Sequence, residues 1–306
     1  MSPFLSVYGH VTIDQIMGVK KFPAAGTTED VISAVTTLGG TGTNIAVTAA
    51  RLGCPTALCA MVGADFPASF EKEIRDSGLI MDDFVHVDGY DTSKAIVVND
   101  QDMVQKVLFY QGPQGFAGDT GITLTKMASE SRFVHFCTGQ PSYYIDLMGQ
   151  LPDAFIAVDP AQESHRIWNE KTFPAALELS DAVFCNEKEA ESLARYIGKS
   201  SIFDAEVGLA VCTFGSEGSE ARMGDERIRI PAVKADKVAD VTGAGDSYRA
   251  GFYTSLYRGY RIPEALVIAA AVSSFVVEKV GALTNTPSWE AALERAEPYF
   301  GEISGC

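Results

Sequence analysis

Short apolar runs alternate with amphipathic stretches along most of this 306-residue chain, and that rhythm restricts the fold more than any other feature. Phe4–Tyr8, Thr56–Val62, Phe133–Cys137, Phe155–Val158, Ala182–Cys185 and Leu209–Thr213 read as strands. Several are apolar throughout, as parallel strands are when helices cover both faces of their sheet. Asn44–Leu52, Phe66–Ser77 and Glu187–Ile197 read as amphipathic helices, and Asp246–Tyr257, Pro263–Lys279 and Trp289–Tyr299 make the C-terminal third helical. The alternation implies an α/β class with a mostly parallel sheet and right-handed crossovers. Two regions break the rhythm. His10–Thr37 carries Gly18, Pro23, Gly26 and the strand-prone Val31–Thr37, while Lys94–Val98 and Val104–Tyr110 flank the polar turn Asn99-Asp100-Gln101-Asp102. These predict antiparallel strands of a small sheet outside the main one. The whole of 1–306 reads as one unit.

Charge narrows the function classes. The 24 basic residues against 40 acidic ones give a net charge of −16. Nucleic-acid binders need clustered Lys and Arg, and anionic membranes attract basic patches, so neither partner is expected. The N-terminus lacks the basic region of a secretory signal, and Ser273-Ser274 interrupts the longest apolar window, Ala265–Val277. The six cysteines, at 54, 59, 137, 185, 212 and 306, show no zinc-knuckle spacing. Those in strand-like runs pack as small hydrophobes, and a reduced cytoplasmic location is expected. His10, His86, His135 and His165 show no metal spacing either.

Two glycine motifs carry chemistry. In Asp240-Val241-Thr242-Gly243-Ala244-Gly245-Asp246, two glycines at a helix start let backbone N–H groups converge on an anion, helped by the helix dipole. Asp246 stands beside that site, where a carboxylate can accept a proton from an attacking hydroxyl. The same residues also describe an ordinary capped helix start. In Leu38-Gly39-Gly40-Thr41-Gly42-Thr43-Asn44, close-approach glycines followed by a helix-start amide suit a polyol resting on backbone; a tight strand-to-helix turn has the same composition. Ile45 stands where a dinucleotide fingerprint needs its third glycine, and Leu193 where a Walker A loop before Gly198-Lys199-Ser200 needs its first.

Taken together and in order, the motifs resemble the ribokinase-like (PfkB) carbohydrate and nucleoside kinases from the first strand to the last helix. Gly9-His10-Val11-Thr12-Ile13-Asp14 is similar to the family's opening segment, Gly39–Asn44 to its first signature and Asp240–Phe252 to its second. Asp246–Phe252, Ala271–Glu278, Phe22-Pro23 and Thr284-Asn285-Thr286-Pro287 look closest to archaeal nucleoside kinases. The resemblance implies a three-layer sandwich with a β-sheet lid, formed by about 10–37 and 90–112. It implies Asp246 as base, Gly243, Ala244 and Gly245 as anion hole, and Asp14, Gly39, Gly40, Asn44 and Gln162 around the acceptor. Asn186 and Glu189 resemble an Asn-x-x-Glu motif near Mg²⁺, held largely through water, although Asn186 with Glu189 three residues on is also the capping-box pattern. Thr213, Gly215 and Gly218 are similar to the segment beside ATP, and Gln111 is a further nucleotide-binding candidate.

The implied cofactors are ATP and Mg²⁺, with a monovalent cation such as K⁺ as an optional third; the implied partners are a small-molecule substrate and a second copy through the lid. Val241 departs from the family's usual Thr or Pro, and Gln111–Gly118 is richer in glycine than its lid segment. The expected reaction is phosphoryl transfer to a nucleoside ribose 5′-hydroxyl. The alternatives are a kinase for fructose 6-phosphate or a free sugar, and a catalytically silent binding protein of the same fold.

Overall fold

The computed structural model describes residues 2–102 and 104–305; Cys306, counted among the six cysteines, lies outside them. In chain order, β1 (Leu5–Tyr8), β2 (Thr12–Val19) and β3 (Val31–Gly39) lead into α1 (Thr41–Arg51). β4 (Thr56–Gly63), α2 (Ala68–Asp76), β5 (Phe84–Val87) and the hairpin β6 (Lys94–Asn99) with β7 (Gln105–Tyr110) follow. One helical turn, α3 (Gly112–Gly115), precedes β8 (Phe133–Phe136), α4 (Pro141–Met148), β9 (Phe155–Val158), α5 (Thr172–Leu177), β10 (Ala182–Asn186), α6 (Glu187–Tyr196) and β11 (Leu209–Thr213). The chain ends with the hairpin β12 (Ser219–Met223) and β13 (Glu226–Ile230), the helices α7 (Ala244–Tyr257), α8 (Ile262–Val276) and α9 (Trp289–Ala296), and β14 (Ser304–Gly305).

Ten strands form one sheet in the order β14-β13-β12-β11-β10-β9-β8-β1-β4-β5. From β5 to β11 every neighbouring pair is parallel, and β12, β13 and β14 add an antiparallel edge. The expected apolar strands are these parallel ones, and β4 is buried at every position. Its side chains divide by parity: Leu58, Ala60 and Val62 face the core shared with α1, α7 and α8, while Cys59 and Met61 face the core shared with α4, α5 and α6. Helices on both faces make the α/β sandwich. Cys54, Cys59, Cys137, Cys185 and Cys212 are buried free thiols, and no helix among the described residues is long and apolar enough to cross a membrane.

Four strands form a separate small sheet in the order β3-β2-β6-β7. It is mixed rather than antiparallel throughout. β2 pairs with β3 and β6 with β7 antiparallel, but β2 and β6 run parallel, because each half leaves the main sheet from the carboxyl end of a strand and travels in the same direction. The last helix also differs from expectation. α9 stops at Ala296 and continues as a 3₁₀ segment, Glu297–Glu302, where Pro298 has no N–H to give the helical ladder.

Candidate active site

Open α/β sheets bind ligands beyond the carboxyl ends of their strands, where the strand order reverses. Here that point is β1, with β4 and β5 on one side and β8 to β11 on the other. The residues at or just beyond those carboxyl ends are His10, Asp159, Asn186 and Thr213. Two cavities meet there and share Thr213, Gly215 and Gly245. One, of about 690 Å³, is lined from the main sheet and the small sheet together, with Asp14, Phe109, Gln162 and Asp246 among its walls. The other, of about 610 Å³, is lined by Gly218, Val233, Val241, Tyr248, Ser273 and neighbours from the C-terminal third alone.

α7 starts on Gly243, whose backbone has φ 76°. A side chain there would be strained and would run into the Cβ of Ala282. Within this turn the N–H of Ala244 bonds back to the carbonyl of Val241 at 3.2 Å. The N–H groups of Gly243, Gly245 and Asp246 have no acceptor among the described residues, whereas that of Ala244, expected with Gly243 and Gly245 in the anion hole, is engaged. α1 starts in a similar way. Gly40 has φ 99°, and a side chain there would meet the His10 carbonyl, while one at Gly39 would meet the Asp14 carboxylate.

The two helix starts touch. Asn44 Nδ2 donates to Asp246 Oδ2 at 2.7 Å. Asn44 Oδ1 and His10 Nδ1 are buried with no partner, and both residues line the larger cavity. Unmet polar atoms in a cleft are an expensive arrangement unless a ligand completes them. Burial pushes Asp246 up to about 6, with the Asn44 hydrogen bond and the charge of Arg249 opposing. Asp14 accepts from Thr12 Oγ1 at 2.5 Å, and burial raises its carboxyl as well. Gln162 Nε2 reaches Thr41 Oγ1 at 3.4 Å, beside Ala161, the only non-glycine described with positive φ, at 48°.

Asn186 and Glu189 form a complete capping box at the start of α6: Asn186 N donates to Glu189 Oε2 at 2.8 Å and Glu189 N to Asn186 Oδ1 at 3.0 Å. The same two side chains line the larger cavity, so the cap and the site coincide. Burial pushes Glu189 up to about 7. A cation nearby would favour its ionised form. The described residues offer no cluster of three His, Cys, Asp or Glu that could hold a metal ion by themselves.

Residues 2–289 match the family described as pfkB family carbohydrate kinase. The chain belongs to that family. It is an ATP-dependent kinase with the ribokinase fold. It is 31% identical to a nucleoside kinase of Methanocaldococcus jannaschii over 298 residues, covering 96% of this chain and 97% of that one. A nucleoside kinase of Methanothermobacter thermautotrophicus is also 31% identical over 306 residues, covering 97% and 96%. The crystal structure of the M. jannaschii nucleoside kinase, an archaeal member of the ribokinase family, superposes with a TM-score of 0.89 at 30% identity, covering 97% of this chain and all of the other.

Within this kinase the residues expected around the acceptor, the base and the Asn-x-x-Glu pair gather in or beside the larger cavity, and Thr213, Gly215 and Gly218 line the smaller one. Gln111 lines neither. Its amide donates to Glu163 Oε1 at 3.0 Å, and its carbonyl accepts from Ser93 Oγ at 2.7 Å and bonds to His10 Nε2 at 3.1 Å, placing it at the junction of the two sheets. Several cavity residues escaped the sequence reading: His10, Phe109, His165, Arg166 and Arg249. Arg249 lies within the second signature, and its helical position three residues after Asp246 is the one signal available in the sequence.

Proposed function

We propose that this kinase transfers the γ-phosphoryl group of ATP to the ribose 5′-hydroxyl of a nucleoside. The observation that carries the reading is the 2.7 Å hydrogen bond from Asn44 to Asp246, which joins the polyol-type helix start to the anion-type helix start where the two cavities meet. ATP would occupy the smaller cavity, with its γ-phosphate at the free N–H groups of Gly243, Gly245 and Asp246. The acceptor would lie against Asp14, Gly40 and Asn44. Asp246 takes the proton of the 5′-hydroxyl as its oxygen bonds to phosphorus and the bond to the ADP oxygen breaks. The N–H groups stabilise the charge on the transferring group. Glu189 and Asn186 would help hold Mg²⁺, which when bound neutralises phosphate charge.

A nucleoside is favoured over a phosphosugar by the acceptor wall. Phe109 of the small sheet gives the larger cavity an aromatic wall against which a base could pack. Arg166, the cation nearest that face, is already paired to Glu163 at 3.1 Å and stacked on Phe109 at 5.2 Å. A dianionic acceptor would need a richer basic pocket beside a protein of charge −16. The relatives described above are themselves nucleoside kinases. Steady-state kcat/KM for inosine, cytidine, adenosine, guanosine and fructose 6-phosphate tests the reading. Nucleosides are expected to lead, and a tenfold lead for the phosphosugar, about 1.4 kcal/mol of transition-state binding, would overturn the acceptor while leaving the kinase.

Asn44→Ala is expected to raise KM for the nucleoside roughly tenfold or more, since a lost buried hydrogen bond costs about 1–3 kcal/mol, with a much smaller change for ATP. Equal changes in both would point to a folding role for the turn. The small sheet would act as a lid that excludes water. Its outer strands expose Val31, Ile32, Val35 and Leu108, the last 68% accessible, which supports pairing with the lid of a second copy.

A further inference from the structure

We propose that Arg249 is a further catalytic residue, whose guanidinium donates hydrogen bonds to the phosphoryl group as it passes from ATP to the acceptor. The proposal rests on the kinase reading of the Asp246 site and adds a side-chain cation to an anion site otherwise built from backbone. Arg249 is only 4% exposed, yet it lines the larger cavity. Its Nε donates to Asp159 Oδ2 at 2.7 Å and its Nη1 to the Gly245 carbonyl at 3.2 Å. No other hydrogen bond engages it among the described residues, which leaves three of the five guanidinium N–H groups free. The group sits directly under the helix start: a Cβ built on Gly245 would lie 3.2 Å from Nη1. Gly245 therefore does two things, opening its own N–H and leaving room for the guanidinium.

A buried arginine paired to an aspartate has an ordinary explanation, a structural ion pair. Three features go beyond it. Asp159 already receives the N–H of Ala161 at 3.2 Å and faces His135 Nε2 at 3.5 Å, so it is not short of partners. The pair lies at the carboxyl end of β9, not in the apolar core. And the cation faces Glu189 and Asp246 as well as Asp159, all of which hold it charged, so its charge persists through the catalytic pH range. A planar fork with free donors beside a glycine-lined anion site matches the oxygens of a transferring phosphoryl group.

The test uses the full-length protein with Arg249→Met, Arg249→Lys and the double variant Arg249→Met/Asp159→Asn, which removes both buried charges. Melting temperature, kcat, KM and the affinity for Mg-ADP with and without fluoroaluminate, a mimic of the phosphoryl group in transfer, are measured. We expect kcat of the methionine variants to fall about 10²–10³-fold, the usual effect of losing one preorganised donor, with KM for ATP within about threefold. The double variant should regain thermal stability without regaining turnover. The extra affinity that fluoroaluminate gives the wild type should shrink at least tenfold, while ADP alone binds as before. Wild-type kcat in the double variant, or an undiminished fluoroaluminate gain, would overturn the proposal. If the methionine variants do not fold, Arg249→Lys decides the point, because it keeps a cation beside Asp159 but loses the fork: a reduced gain supports the role and a full gain refutes it. Since the fluoroaluminate measurement contains no acceptor, a wild type that phosphorylates no nucleoside would count against the acceptor assignment alone.

Discussion

Asp246→Asn is expected to lower kcat by about 10²–10⁴-fold, the usual range for removing a general base, while ATP affinity changes little. The amide keeps the volume and can still accept from Asn44, so the 2.7 Å contact that orders the site survives. What is lost is the capacity to take the acceptor proton. As the proposed base, Asp246 would work only when ionised, and burial pushes its carboxyl up to about 6, so turnover should fall as pH drops through 6 and level off above 7. The same shift has a stability sign. A carboxyl whose folded value lies above its unfolded value of about 4 destabilises the fold when ionised, fully above pH 6 and not at all below 4. At about 1.4 kcal/mol per pH unit, that is roughly 3 kcal/mol at neutral pH. Asp246→Asn should therefore be dead but at least as heat-stable as the parent. A folded variant with near-normal kcat would remove Asp246 from the chemistry.

Gly243→Ala should be nearly as severe, for a reason held in the backbone. Position 243 has φ 76°, a conformation that costs a side-chain-bearing residue about 1–2 kcal/mol, and the new methyl would collide with Ala282. The turn must move, and the N–H groups of Gly243, Gly245 and Asp246 move with it. We expect kcat to fall about 10²–10³-fold, with the acceptor KM far less affected. A crystal structure of the variant with a displaced turn, together with kcat within threefold of wild type, would show that the N–H array is not used.

The parallel strands and the two helix starts were legible in the sequence because their signals are local. An unbroken apolar run such as Thr56–Val62 has few other uses, and Gly-x-Gly before Asp at a helix start leaves few conformations. The hairpin of β12 and β13 was not legible. Glu220, Arg222, Glu226, Arg227 and Arg229 dilute its apolar alternation, and its place at the sheet edge removes the need for apolar residues on both faces. The mixed pairing of the small sheet was misread for a related reason: strand direction depends on where each connection leaves the main sheet, which spacing does not encode. In the site, Asp246 and Asn44 could be picked out singly, but their contact spans 202 residues. Arg249 and Asp159 are 90 residues apart, on elements whose adjacency only the sheet order provides. Gln111, a nucleotide-binding candidate through the family resemblance alone, donates to Glu163 at the junction of the two sheets, a contact across 52 residues that no local signal announces.

The two cavities draw on the chain unequally. The smaller is built wholly from residues between Thr213 and Val277, on the sheet and helices that pack the core. The larger borrows Asp14, Ala95, Val107 and Phe109 from the small sheet, which shares no strand with the main one. If the larger cavity holds the acceptor as proposed, substitutions on β2, β6 and β7 should alter KM for the acceptor and leave KM for ATP nearly unchanged, since the smaller cavity takes no residue from those strands. A change on the four-stranded sheet would therefore leave untouched the Gly40 and Asn44 helix start and the strained turn at Gly243, which belong to the main body of the fold.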